Sequence, residues 1–181
     1  MATLAEVIKP YPIVVWDLDH TIASLDVDWA GLKVELAAFC QAAVDLPYHE
    51  LFSKAAQLDS QQAFALQAKY EAGVSYQIHQ SIVETIRDTA NNHTFAIFTD
   101  NLQATAERVL SELNILNLFA SVVTKDQVTN WKPTATGLIK VMSNLNELDK
   151  AKYVLIGDSW KDQQAATEAE IAFVDIIPFQ E

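Results

Sequence analysis

Short apolar runs and helical stripes alternate along much of this chain. Ile13-Val14-Val15-Trp16 follows Pro10 and Pro12 and reads as a buried strand. After residue 93 the pattern repeats. Phe95-Ala96-Ile97-Phe98 predicts a second strand, Ser121-Val122-Val123 a third, Tyr153-Val154-Leu155-Ile156 a fourth ending at Gly157, and Ile171-Ala172-Phe173-Val174 a last one. Between them lie amphipathic helices marked by Ala106, Val109, Leu110 and Leu113, by Leu138, Met142 and Leu145, and by Ala165, Ala166 and Ala169. Apolar strands alternating with helices predict an α/β fold, with a parallel sheet covered on both faces.

The middle of the chain is different. From Asp28 to Ala90 the pattern predicts helices and no strand. Leu32, Leu36, Phe39, Cys40 and Ala43 recur at helical spacing, as do Leu51, Ala55 and Leu58, and Ile78, Ile82 and Ile86. Pro47 separates the first two helices, and Gly73 ends a longer one. The block therefore reads as a small all-helical insertion at 22–90, with residues 1–21 and 91–181 forming a Rossmann-like core.

Composition narrows the function classes. The sequence is 50% hydrophobic and 20% charged, so wholesale disorder is not expected. The net charge of −12 and the lack of a basic cluster argue against a nucleic-acid partner. No apolar run approaches the ~18 residues that a membrane span needs. The N-terminal stretch does not read as a signal peptide. A single cysteine, Cys40, cannot form an internal disulfide, and a cytoplasmic setting fits best. There is no GxxxxGK(S/T) sequence, so a P-loop is unsupported. An anionic small molecule would need strong local positive charge to bind.

In an open parallel sheet, ligands bind beyond the carboxyl ends of the strands. The first strand ends in Asp17-Leu18-Asp19-His20-Thr21, the second in Thr99-Asp100-Asn101, and the fourth in Gly157-Asp158-Ser159, with Asp162 four residues after Asp158. Lys132 precedes Pro133 in the connection after the third strand. Several acids, a lysine and a hydroxyl at one sheet edge are the parts of a metal-assisted phosphoryl-transfer site. Hard oxygen ligands suit Mg²⁺, and metal and lysine would offset charge on the transferring group.

These motifs resemble the haloacid dehalogenase superfamily. DLDHT resembles its DxDx(T/V) signature, Thr99 the hydroxyl of its second motif, Lys132 the lysine of its third, and GDSWKD its GDxxxD fourth motif. The resemblance implies a phosphatase with a small helical cap inserted after the first motif. It implies that Asp17 attacks phosphorus to form an aspartyl-phosphate. Asp19 protonates the leaving oxygen and then deprotonates water. Thr99, Asp100, Asn101 and Lys132 bind the phosphoryl group. Mg²⁺ sits on Asp17, Asp158 and the Asp19 backbone carbonyl, with Asp162 supporting the metal from behind its direct ligands. His20 either touches substrate or packs against the loop.

The expected function is thus Mg²⁺-dependent hydrolysis of a small phosphorylated metabolite. A phosphomutase would share every core motif, and a non-catalytic binding or regulatory protein could keep the fold. A dehalogenase would lack the acid at position 19, since carbon–halogen cleavage needs no protonated leaving group. Two departures stand out. Asp100 adds a negative charge near the phosphate position, so its side chain must point away. Glu170 stands where many relatives have glycine. Trp29, Trp131 and Trp160 lie near motifs, but packing is the stronger reading for each. Substrate identity and oligomeric state are not legible.

Overall fold

In the computed structural model, residues 2–180 are described. The elements in chain order are α1 (Leu4–Ile8), β1 (Ile13–Trp16), β2 (Ala23–Leu25), α2 (Trp29–Cys40), α3 (Tyr48–Leu58), α4 (Ser60–Glu71), β3 (Tyr76–Ile78) and α5 (Gln80–Thr89). They continue as β4 (Thr94–Phe98), α6 (Gln103–Glu112), β5 (Phe119–Val123), α7 (Thr136–Leu145), β6 (Tyr153–Gly157), α8 (Trp160–Ala169) and β7 (Ala172–Asp175).

The predicted parallel sheet is present, with order β5-β4-β1-β6-β7 and every pairing parallel. All four residues of β1 are buried, as a central strand with covered faces requires. Its side chains alternate between faces. Ile13 and Val15 join Ala96, Phe98, Val123, Tyr153 and Leu155 in a core with Leu138, Val141 and Met142 of α7 and Ala165, Ala166 and Ala169 of α8. Trp16 meets Phe95 edge-on, with ring centroids 5.8 Å apart. Register places the strand ends level, Trp16 beside Ile97 on one side and Ile156 on the other. The residues that follow these strands therefore begin at one edge.

The chain divides into two compact units. One runs up to Leu25 and resumes at Tyr76; the other is Asp26–Ser75. The second unit is three helices in mutual contact. Asp28 caps α2 through the Gly31 N–H at 2.8 Å, and Asp59 caps α4 through the Gln62 N–H at 3.0 Å. Pro47 stands immediately before α3, so the expected break falls there. Trp29, Tyr48, Phe52 and Phe64 form a run of aromatic contacts. This is the packing role expected of Trp29.

The strand-free reading of Asp28 to Ala90 needs correction. Ile78 belongs to β3, which pairs antiparallel with β2 to make a two-stranded ribbon in the first unit. Each strand is three residues long, and the partners are separated by about fifty positions in sequence. The helical period starting at Ile78 therefore begins one element too early; α5 starts at Gln80. No helix among the described residues is long and apolar enough to cross a membrane.

Candidate active site

Asp17 leaves the end of β1 with its N–H donating to the Ile156 carbonyl at 2.9 Å. This bond continues the ladder one residue past the strand and fixes where the carboxylate starts. The residue is 7% exposed. Lys132, itself 3% exposed, donates from Nζ to Asp17 Oδ1 at 2.7 Å and lies 2.6 Å from Asp162 Oδ1. The second contact is close but poorly directed, and Asp162 Oδ1 accepts no well-aligned hydrogen bond. The Lys132 ammonium also sits over the Phe98 ring, 4.7 Å from its centroid.

Asp162 is held from its own helix. Ser159 caps α8 in a reciprocal capping box, its hydroxyl bonded to the Asp162 carboxylate. Gly157 makes room for it. A Cβ there would lie 2.7 Å from Asp162 Cβ and 2.6 Å from Asp162 Cγ, so only glycine lets β6 end against this side chain. Carboxylate oxygens of Asp17, Asp158 and Asp162 lie within 4.8 Å of one another. Asp162, expected behind the metal ligands, is one of these three acids.

The electrostatics follow from burial. Burial raises the Asp17 pKa, Lys132 opposes it, Asp162 and Asp158 add to it, and the value is pushed up to about 8. Burial followed by the Asp162 charge also pushes Asp158 up. Burial works against the charge on Lys132, but Asp162, Asp17 and Asp100 outweigh it and hold its pKa above the ordinary lysine range. Burial would raise Asp162, yet Lys132 and the Ser159 hydroxyl hold it below the usual carboxylate range. One buried lysine does not balance three clustered acids. The all-oxygen donor set and the unmet demand for positive charge fit a divalent cation.

Around this centre stand the remaining predicted residues. Asp19 Oδ1 accepts from the Leu25 N–H at 2.8 Å. Thr99 follows β4, its N–H donating to the Val123 carbonyl at 3.1 Å and its hydroxyl to Asn101 Oδ1 at 2.9 Å. Both Thr99 and Asn101 are buried. The Asp100 side chain is held against the Lys132 loop. Its Oδ1 accepts from the Lys132 N–H at 3.2 Å and its Oδ2 lies 3.6 Å from Lys161 Nζ. It thereby pins the Lys132 loop, and Lys161 partly neutralises it. Lys161 and Ser159 escaped the sequence reading, although the capping pattern of Ser159 with Asp162 was visible there. Trp131 donates from Nε1 to the Lys125 carbonyl at 3.0 Å, a structural role. Trp160 is 57% exposed.

A sequence model of haloacid dehalogenase-like hydrolases matches residues 14–176. The chain belongs to this family. Among solved structures of the family, a HAD-superfamily hydrolase from Ehrlichia chaffeensis superposes with a TM-score of 0.61 at 18% identity, covering 94% of this chain and 95% of that one. A haloacid dehalogenase-like hydrolase from Bacteroides fragilis gives 0.70 at 16% identity, covering 91% and 87%. A protein from Haemophilus somnus described as a predicted phosphoglycolate phosphatase gives 0.64 at 15% identity, covering 92% and 85%. Among curated proteins none matches the chain significantly. At these identities the structural likeness speaks to fold. Glu170, the departure noted above, is accommodated within the family fold: it ends α8 at φ 60°, in the left-handed region where glycine is usual.

Proposed function

We propose that this hydrolase is a Mg²⁺-dependent phosphatase acting on small phosphomonoesters through an aspartyl-phosphate on Asp17. The observation that carries the reading is the buried Lys132 ammonium bridging Asp17 and Asp162 beside Asp158. A carboxylate becomes a competent nucleophile when oriented and taken out of bulk water. Asp17 is both buried and hydrogen-bonded at one oxygen. Mg²⁺ held by Asp17, Asp158 and the Asp19 carbonyl would supply charge neutralisation at Asp17 and at the phosphoryl oxygens. The raised Asp17 pKa is the reason such charge is needed for ionisation near neutral pH.

The protein groups divide the remaining work. Lys132 orients Asp17 and offers positive charge to the phosphoryl group. We assign Thr99, Asp100 and Asn101, which follow β4, to binding phosphoryl oxygens; the Thr99 hydroxyl and the Asn101 N–H, which bond to one another's residue here, would turn to the phosphoryl group when it binds. Asp19, anchored by the Leu25 N–H, gives its proton to the leaving oxygen and takes one from the attacking water. Asp162 keeps Lys132 charged and in place. We assign the catalytic core to the parallel-sheet unit and a cap to the helical unit, and a small phosphorylated metabolite as partner in a cytoplasmic setting. The net charge of −12 supports small rather than polyanionic substrates. Relatives in fold that are named phosphoglycolate phosphatases support phosphomonoester chemistry.

A screen of phosphorylated metabolites with Mg²⁺, with Asp17→Asn as blank, tests the reading. Release of inorganic phosphate by wild type alone is expected. Conversion to an isomeric phosphate without release would make the protein a mutase, and no Asp17-dependent turnover would overturn the assignment.

A further inference from the structure

Three polar side chains beside the first motif play no part in the chemistry above. His20 follows Asp19, Ser24 is the middle residue of β2, and His79 follows β3. His20 Nδ1 lies 3.2 Å from Ser24 Oγ, and the same oxygen lies 2.9 Å from His79 Nε2. The other edge of the His20 ring faces the acids, with Nε2 3.9 Å from Asp19 Oδ1. The backbone at His20 is held at φ 57°, a region that non-glycine residues keep only when their surroundings impose it. Its N–H donates to the Ala23 carbonyl at 2.9 Å, and Gln180 donates to its carbonyl. The ribbon pairing of Ser24 with Gln77 and of Ala23 with Ile78 brings Ser24 and His79 together.

A serine hydroxyl has one proton, and here two ring nitrogens compete for it. Asp19 Oδ1 already accepts from the Leu25 N–H, so it presents lone pairs to Nε2 whether or not the other oxygen is protonated, and a neutral His20 ring carries its proton on Nε2. Nδ1 is then an acceptor and takes the Ser24 proton. Ser24 in turn accepts from His79 Nε2–H. Burial is the main cause that holds His79 below the ordinary imidazole pKa, which favours the neutral ring with one N–H to give. The chain of bonds is directional and ends in an N–H whose nitrogen lies 3.9 Å from Asp19 Oδ1.

We propose that Ser24 and His79 are positioning residues that fix the His20 ring as an Nε2–H donor toward Asp19. The inference rests on the acid–base role of Asp19 proposed above. As Asp19 gives its proton to the leaving oxygen, negative charge develops on its carboxylate, and a donor already aimed there stabilises that charge. His20 is 56% exposed at its side chain, so water weakens the effect. A contribution of about fivefold in rate is expected for poor leaving groups.

The test uses the intact protein and substitutions that remove or restore the hydroxyl and the ring nitrogens. Ser24→Val should slow phenyl phosphate turnover about fivefold more than p-nitrophenyl phosphate, in kcat and not KM, because the better leaving group hardly needs a proton. Ser24→Thr, which restores the hydroxyl, should recover most of that loss. His79→Phe should mimic Ser24→Val, and the double variant should be no slower than either. Equal slowing of both esters, or no recovery with threonine, overturns the proposal. A second readout needs no turnover. Nitrogen-15 NMR at pH 8, with His20→Gln to assign the ring, should show His20 protonated on Nε2 in wild type and a tautomer mixture in Ser24→Val. A wild-type ring protonated on Nδ1, or already mixed, overturns the proposal. Failure of wild type to hydrolyse either ester would instead strike the phosphatase reading, and the NMR result would still decide the orientation of His20.

Discussion

Replacing Asp17 with asparagine should stabilise the metal-free protein at alkaline pH while abolishing hydrolysis. The carboxyl is buried and its pKa is pushed from an ordinary 3.8 to about 8. A raised acid pKa adds to stability in full below pH ~4, and that contribution is lost as pH rises through about 8. Holding Asp17 protonated in the fold while the unfolded chain ionises is thus a growing cost between those limits, with a ceiling of about 6 kcal/mol at ~1.4 kcal/mol per pH unit. Asparagine removes this cost. The attraction between Asp17 and Lys132 is already inside that figure, because Lys132 lowers the Asp17 pKa. Lys132 keeps Asp162, 2.6 Å away, as its partner. The net expectation is at least about 2 kcal/mol of stabilisation at pH 8–9, or at least about 4 °C in Tm, shrinking toward pH 5. The assay is thermal unfolding in chelator at pH steps from 5 to 9. Added Mg²⁺ should narrow the gap by binding native wild type. A variant less stable than wild type at pH 8–9 in chelator, or a difference that does not change with pH, would refute the reasoning.

Other outcomes follow from the same geometry. Exhaustive chelation should abolish activity and Mg²⁺ should restore it, whereas Ca²⁺ should bind with little turnover because its looser coordination misplaces the carboxylate; assays after dialysis check this. Asp19→Asn should leave metal binding largely intact but slow phenyl phosphate far more than p-nitrophenyl phosphate, and equal slowing would remove Asp19 from the acid role. Gly157→Ala should push Asp162 away from Lys132, costing about 1–3 kcal/mol of stability and lowering kcat; unchanged melting and kinetics would show that the end of β6 is not tightly packed there.

The sheet and the acids at its edge were legible because each strand is a short apolar run finished by a polar motif. Ile13-Val14-Val15-Trp16 before Asp17 and Tyr153-Val154-Leu155-Ile156 before Gly157 carry that signal unaided. The β2–β3 ribbon was not legible. Ala23-Ser24-Leu25 and Tyr76-Gln77-Ile78 are too short to show a period, and Ile78 also fits the helical stripe of α5. The link between Ser24 and His79 depends on that pairing, so it was hidden with it. Asp100 was readable only in part. Its charge said that the side chain must turn from the phosphate position, but not that it would pin Lys132 and meet Lys161. The position of Asp162 against the other acids depends on the missing Cβ of Gly157, a three-dimensional fact with only a glycine to mark it in the sequence.

The central claim is that Asp17 is phosphorylated during turnover, and rapid acid quenching tests it most directly. Wild type mixed with Mg²⁺ and a phosphomonoester for milliseconds, then quenched and digested, should yield an acid-stable, base-labile phosphoryl adduct on the peptide containing Asp17. Asp17→Asn should yield none and should not turn over. An adduct on another residue, or hydrolysis by Asp17→Asn at near-wild-type rates, would contradict the account.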